Sequence, residues 1–182
     1  MNTATANLEN DHIHILRLID VMEVITQNQE DNIEHLETIV NLIRNFADGL
    51  HHAKEESLLF PKMVEKGFSF QQGPIAVMMN DHVTGRNFVK GIADNILLYK
   101  TGAKQALTDI YKNMQGYIEL LRAHINKENN ILFRMADNAL SPEEQQTLLE
   151  QFNKVESNPV CGGVVADCIA QINNLAKAYN IS

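Results

Sequence analysis

Six side chains of two kinds recur in register along this chain of 182 residues. Asn10-Asp11-His12 returns as Asn80-Asp81-His82. The stretch His51-His52-Ala53-Lys54-Glu55-Glu56-Ser57-Leu58-Leu59-Phe60 returns as His124-Ile125-Asn126-Lys127-Glu128-Asn129-Asn130-Ile131-Leu132-Phe133, so both halves carry H-x-x-K-E-x-x-x-L-F. Each half thus holds one histidine and then, 39 or 42 residues later, a histidine and a glutamate four apart. Imidazole and carboxylate are metal-ligating groups. On a helix, positions i and i+4 lie one turn apart on one face, so the pair can serve one ion or two adjacent ions.

Helical phase sorts the adjacent histidines. Offsets of 4, 7 and 11 share a face. His51 shares its face with Val40, Ala47 and Leu58, whereas His52 goes with Asn41, Asn45, Asp48 and Leu59, a more polar set. His51 and Glu55 are therefore expected to point inward, with His52 outward and Glu56 outward or behind the ligands. His124 goes with Tyr117, Leu121, Ile131 and Met135 and points inward. Phase alone does not separate His12 from His14; the match to His82 selects His12. An isolated inward histidine is ordinarily a hydrogen-bonded core residue. Four of them in register with two inward glutamates are not, because a buried carboxylate is costly without a cation.

Mixed nitrogen and oxygen ligands without thiolate suit Fe, Mn or Zn, and six ligands exceed what one tetrahedral Zn takes. Two ions bridged by the two carboxylates, with water, oxo or hydroxo groups completing the shells, fit the count. Sites of this kind are built between facing helices.

The elements needed to bring the six together are legible in the apolar periodicity. Helices are expected over roughly Thr5–Gln27, Asn32–Lys66, Pro74–Lys100 and Ala103–Asn138, with punctuation at Asn28–Asp31, at Gly67–Gly73 and at Thr101–Gly102. Ser141-Pro142-Glu143-Glu144 starts a fifth helix that ends near Asn158-Pro159, and a sixth follows Cys161-Gly162-Gly163 to about Tyr179. The expected fold is all-α: an up-down-up-down four-helix bundle over residues 1–140, with two shorter helices in a C-terminal extension, 141–182, packed on it.

Composition limits the partners. A net charge of -8 without a Lys/Arg cluster argues against nucleic acid. No apolar run reaches the length of a membrane span, and residues 1–9 lack a secretory leader's basic start and apolar core, so cytoplasm is the expected location. Cys161 and Cys168, seven apart, make no disulfide framework and are expected as small core residues; a redox pair or a sulfur donor is the alternative. Met78, Met79, Met114 and Met135 are expected as core filler. Tyr117, two turns before His124, is expected in the core, the alternative being a hydrogen bond to a ligand at the centre.

These motifs resemble the hemerythrin-like (HHE cation-binding) family over roughly residues 8–138. The resemblance rests on Asp11-His12 with Leu18-Ile19-Asp20, on His51-His52-Ala53-Lys54-Glu55-Glu56 running into Leu59-Phe60-Pro61, on Asp81-His82 with Gly85-Arg86, and on His124 to Glu128 followed by Asn129-Asn130-Ile131-Leu132-Phe133. It implies that His12, His51, Glu55, His82, His124 and Glu128 ligate a non-haem di-iron centre that binds or senses O₂, NO or peroxide, turns them over, or handles iron for delivery or repair. Oxygen-carrying members have a fifth histidine one turn beyond the third-helix ligand, where this chain has Arg86. His14, His35 and His52, or Glu56, are the alternatives for completing the site. A related group that repairs iron centres usually adds an N-terminal cysteine-bearing domain, which is not found in these residues.

Overall fold

The first helix, α1 (Ala4–Asn28), starts where the Thr3 hydroxyl accepts the Ala6 N–H, and stops where Gln29 turns left-handed at φ 54°. In this computed structural model, which describes residues 3–181, five more helices follow. Helix α2 runs unbroken over 33–65, opened by Asn32, whose side chain accepts from the His35 N–H. Helix α3 (Pro74–Lys100) begins with proline in its first turn, after Gly73 at φ 76°. Helix α4 runs over 106–139. Helix α5 (Pro142–Glu156) opens on a capping box between Ser141 and Glu144, and α6 (Val165–Ala178) closes the chain. The expected elements are all present, and the described residues contain no strand.

Two of these helices are not plain α-helices. Within α2, Ile43–His52 and Glu55–Leu59 are π-wound, as is Glu128–Leu132 within α4. Hydrogen bonds from i to i+5 put an extra residue in the turn and shift the phase of everything beyond, a device that recurs at functional sites.

The interior consists of two apolar clusters. One contains Ile15, Leu18, Met22, Phe46, Leu50, Val89, Met114, Leu121 and Ile125; the other contains Leu8, Leu59, Phe60, Met78, Leu132 and Phe133. The buried polar residues fall between them. Along α1 the order is Leu8, His12, Ile15; along α2 it reverses to Leu50, His51, Leu59; α3 and α4 repeat the alternation. Each of the four long helices therefore crosses the same polar layer. Helices α3 and α4 approach closely enough that a Cβ on Gly116 would fall 2.5 Å from the Phe88 ring. Met78 and Met114 are core residues, with Met79 and Met135 packed against the core from partly buried positions.

The C-terminal pair closes two different regions. Leu148 and Phe152 of α5 join the second cluster, while Ile172, Leu175 and Cys168 of α6 join the first. Cys161 and Cys168 are not two separate core thiols: they form a disulfide, with Cα atoms 5.5 Å apart, that ties the loop after α5 to the first turn of α6. Sequence spacing alone does not reveal that the loop folds back at Cys161, whose φ is 51°.

Candidate metal centre

The polar layer contains five histidines and two glutamates. His12, His51, His52, His82, His124, Glu55 and Glu128 are all buried. Their ligand atoms form two groups, each with all atoms within 4.8 Å of one another. The first is His52, Glu55, His82 and His124; the second is His12, His51, Glu55 and Glu128. The six residues selected from the sequence are thus brought together. The seventh, His52, is brought in against the expectation that it faces outward. The π-wound turn ending at His52 is the reason: a phase count at 100° per residue no longer holds there, and two consecutive histidines both reach the interior.

Every imidazole is held from behind. His12 Nδ1 donates to Asn129 Oδ1 at 2.7 Å, His51 Nδ1 to Asp11 Oδ2 at 3.2 Å and His52 Nδ1 to Asp48 Oδ1 at 3.1 Å. His82 Nδ1 donates to Glu56 Oε1 at 2.7 Å and His124 Nδ1 to Asp81 Oδ2 at 3.3 Å. Oxygen acceptors fix the proton on Nδ1, so in the neutral rings Nε2 presents a lone pair to the centre, the arrangement typical of histidine behind a metal. The roles of Asp11 and Asp81 repeat: each precedes one histidine in sequence and orients the other histidine of its own half.

With those protons committed, the inward atoms lack partners. His12 Nε2 and His51 Nε2 stand 3.0 Å apart, His82 Nε2 and His124 Nε2 3.2 Å. Both oxygens of Glu55 and both of Glu128 are buried without a hydrogen-bond partner. Lone pairs facing lone pairs need a cation or a proton between them. Two nitrogens each about 2.1 Å from one ion at a right angle lie about 3.0 Å apart, so the spacing fits ligands of a common ion. The carboxylates span both groups: Glu128 Oε2 lies 3.2 Å from His12 Nε2 and its Oε1 3.2 Å from His124 Nε2. Glu55 Oε2 lies 3.7 Å from His51 Nε2 and 3.5 Å from His82 Nε2.

Without a metal the layer is electrostatically strained. Burial, reinforced by the charge of Glu128, pushes the Glu55 carboxyl well above the ordinary range. Burial acts the same way on Glu128, but His124 and His12 beside it outweigh that and hold it well below. His124 is raised to about 9, the pull of Glu128 and Asp81 overcoming burial. Burial lowers His51 well below its usual value and brings His52 to about 4.

A cavity of about 160 Å³ opens on one side of the layer. Ile43, Val89, Leu120 and Leu121 line its walls, and His52, His82 and His124 reach it from within. Tyr117, buried as expected, also lines it, and burial raises its hydroxyl pKa. Arg86 stands on the rim and binds both Asp48 and Glu56, the carboxylates behind His52 and His82. Arg86 therefore fastens the two carboxylates that orient His52 and His82. The remaining candidates lie elsewhere. His35 bonds the Tyr179 hydroxyl at 2.7 Å, and His14 packs edge-on against Phe46.

The Hemerythrin HHE cation binding domain model matches residues 3–136, which contain all seven of these side chains. The chain belongs to the hemerythrin HHE family. Among curated proteins it is similar to the iron-sulfur cluster repair protein YtfE of Enterobacter sp. (strain 638), 36% identical over 93 residues, and to that of Yersinia pestis (strain Pestoides F), 37% identical over 90 residues. Each match covers 47% of this chain and 40% of the relative. The matched stretch is thus less than half of those relatives, and no solved structure matches the chain.

Proposed function

We propose that this protein holds two iron ions in the layer between its apolar clusters and uses them to bind or sense O₂, NO or peroxide. His52, His82 and His124 would serve one ion, His12 and His51 the other, with Glu55 and Glu128 bridging. Mn or Zn is accommodated by the same donors. The observation that carries this reading is the set of four buried carboxylate oxygens with no partner, facing imidazoles whose Nδ1 protons are already committed. Iron bound there supplies Lewis acidity and one-electron redox chemistry. The chain's own residues orient the ligands from behind, exclude water through the flanking Leu and Phe side chains, and admit a small ligand beside Tyr117.

In this proposal the four long helices act as an up-down-up-down bundle. Residues 1–140 are the metal-binding unit and 141–182 its cover. No helix among the described residues is long and apolar enough to cross a membrane. The location proposed is the cytoplasm, where a Cys161–Cys168 disulfide belongs to the transient, redox-responsive kind.

A second reading, delivery or repair of iron centres, is favoured by the repair proteins to which the chain is similar. Turnover of peroxide or NO, or ferroxidase chemistry, at the same layer is the enzymatic version. One experiment separates them. Protein purified without chelator is assayed for metal and its optical spectrum followed on adding O₂, NO or peroxide, with and without an electron donor, and then an apo iron-sulfur acceptor. Two irons per chain with a reversible stoichiometric spectral change supports binding or sensing. Multiple turnovers support an enzyme, and rapid iron transfer supports repair. One zinc or no metal refutes the di-iron reading.

A further inference from the structure

Lys54 and Lys127 occupy the same place in the two repeats, yet their surroundings differ. Each donates to the aspartate oxygen that also takes a histidine Nδ1 proton. Asp11 Oδ2 receives Lys54 at 2.6 Å and His51 at 3.2 Å; Asp81 Oδ2 receives Lys127 at 2.5 Å and His124 at 3.3 Å. Lys127 reaches solvent, with about a third of its side chain exposed. Lys54 is wholly buried. An ammonium has three protons to place, and a buried one must place them all in the protein. Beyond Asp11, Lys54 finds Asn7 Oδ1 at 2.7 Å and Glu156 Oε1 at 2.8 Å, under the ring of Phe152. Glu156 Oε1 also accepts from Asn7 Nδ2 at 3.0 Å.

Glu156 is the last residue of α5, well beyond the residues that match the family. An acid at a helix C-terminus opposes the macrodipole, so the helix itself gains nothing from it. Its partners are Lys54 and Asn7. The two halves of the centre are also covered differently. The His82 and His124 half borders the cavity, whereas the His12 and His51 half is backed by Lys54 and closed over by α5.

We infer that Glu156 is a positioning residue for the His12 and His51 half: it shares the charge of Lys54, so that Asp11 keeps its bond to His51. The C-terminal helix thereby sets how firmly that half retains its ion. Without Glu156 the ammonium has Asp11 as its one anionic partner and competes harder for the single oxygen that orients His51. The inference rests on the metal reading above.

The test is the release of iron from Fe(II)-loaded full-length protein mixed anaerobically with excess chelator. Wild type is expected to lose iron in a fast and a slow phase, the slow one from the covered half. Glu156→Gln keeps the size and an acceptor oxygen but removes the charge, and should accelerate the slow phase about tenfold or more, the scale at which groups behind a ligand act. Lys127→Met should accelerate the fast phase instead, and Glu150→Gln, on the exposed face of α5, should leave both unchanged. A slow phase unmoved in Glu156→Gln, or both phases accelerated by one factor, overturns the inference and leaves the metal reading standing. Wild-type protein that takes up no iron overturns the metal reading and this inference with it.

Discussion

Replacing Glu55 by Gln tests whether the polar layer is built for a cation or for the apoprotein. In the metal-free protein the Glu55 carboxyl is held well above its usual range, chiefly by burial and then by the Glu128 charge. The sign follows from proton linkage. Above the pH at which an unfolded glutamate ionises, near 4.3, the unfolded chain has lost a proton that the folded chain keeps, so the apoprotein loses stability as pH rises. The loss grows by about 1.4 kcal/mol per pH unit while the folded acid stays protonated. Glutamine cannot ionise and is nearly isosteric, so it escapes this loss. Glu55→Gln apoprotein should equal wild type near pH 4.5 and exceed it increasingly toward neutral pH. At a chain of this length each 1 kcal/mol shifts Tm by about 2–4 °C. The assay is urea unfolding in chelator at pH 5 and pH 7, repeated with iron. Iron at a hundred times its Kd would add about 2.7 kcal/mol to wild type, and less to the variant because a bridging ligand is gone. A variant destabilised by the same amount at both pH values, with or without iron, would refute the reasoning and make Glu55 a structural residue.

Three further outcomes follow from the geometry. His52→Ala should lower affinity for the ion it would share with His82 and His124 by more than tenfold in a metal titration, while His14→Ala and His35→Ala leave it unchanged; equal effects would return His52 to the surface role its sequence phase suggests. Reduction of the Cys161–Cys168 disulfide opens a loop of short span and should cost about 2.5 kcal/mol, read as a lower urea midpoint in thiol reductant. Gly116→Val should push Phe88 off α4 and destabilise by about 1–3 kcal/mol, measured by thermal unfolding, since a Cβ there already collides with the ring.

The parts of the centre readable from the sequence are those that obey a regular period. The helix limits follow apolar spacing and capping residues such as Ser141 with Glu144, and the observed ends lie within a few residues of those expected. The repeat isolates His12, His51, Glu55, His82, His124 and Glu128 because duplicated chemistry stands out from varied packing residues. His52 fails the same logic for a local reason: the π-wound turns of α2 change the phase between Ala47 and Leu59, and no period counted at 100° per residue survives them. The other misses concern partners distant in sequence. Lys54 is half of a repeated Lys-Glu pair, but its burial depends on Glu156, 102 positions away, and on the way α5 folds back. Arg86 reads as a departure from oxygen carriers; only the fold sets it across Asp48 and Glu56. Seen together, these residues suggest an order of construction. The repeat supplies six matched side chains and matched Asp-Lys supports, and the two halves then differ in what surrounds these: His52, whose counterpart is Ile125, with Arg86 and the cavity on one half, and α5 with Glu156 on the other.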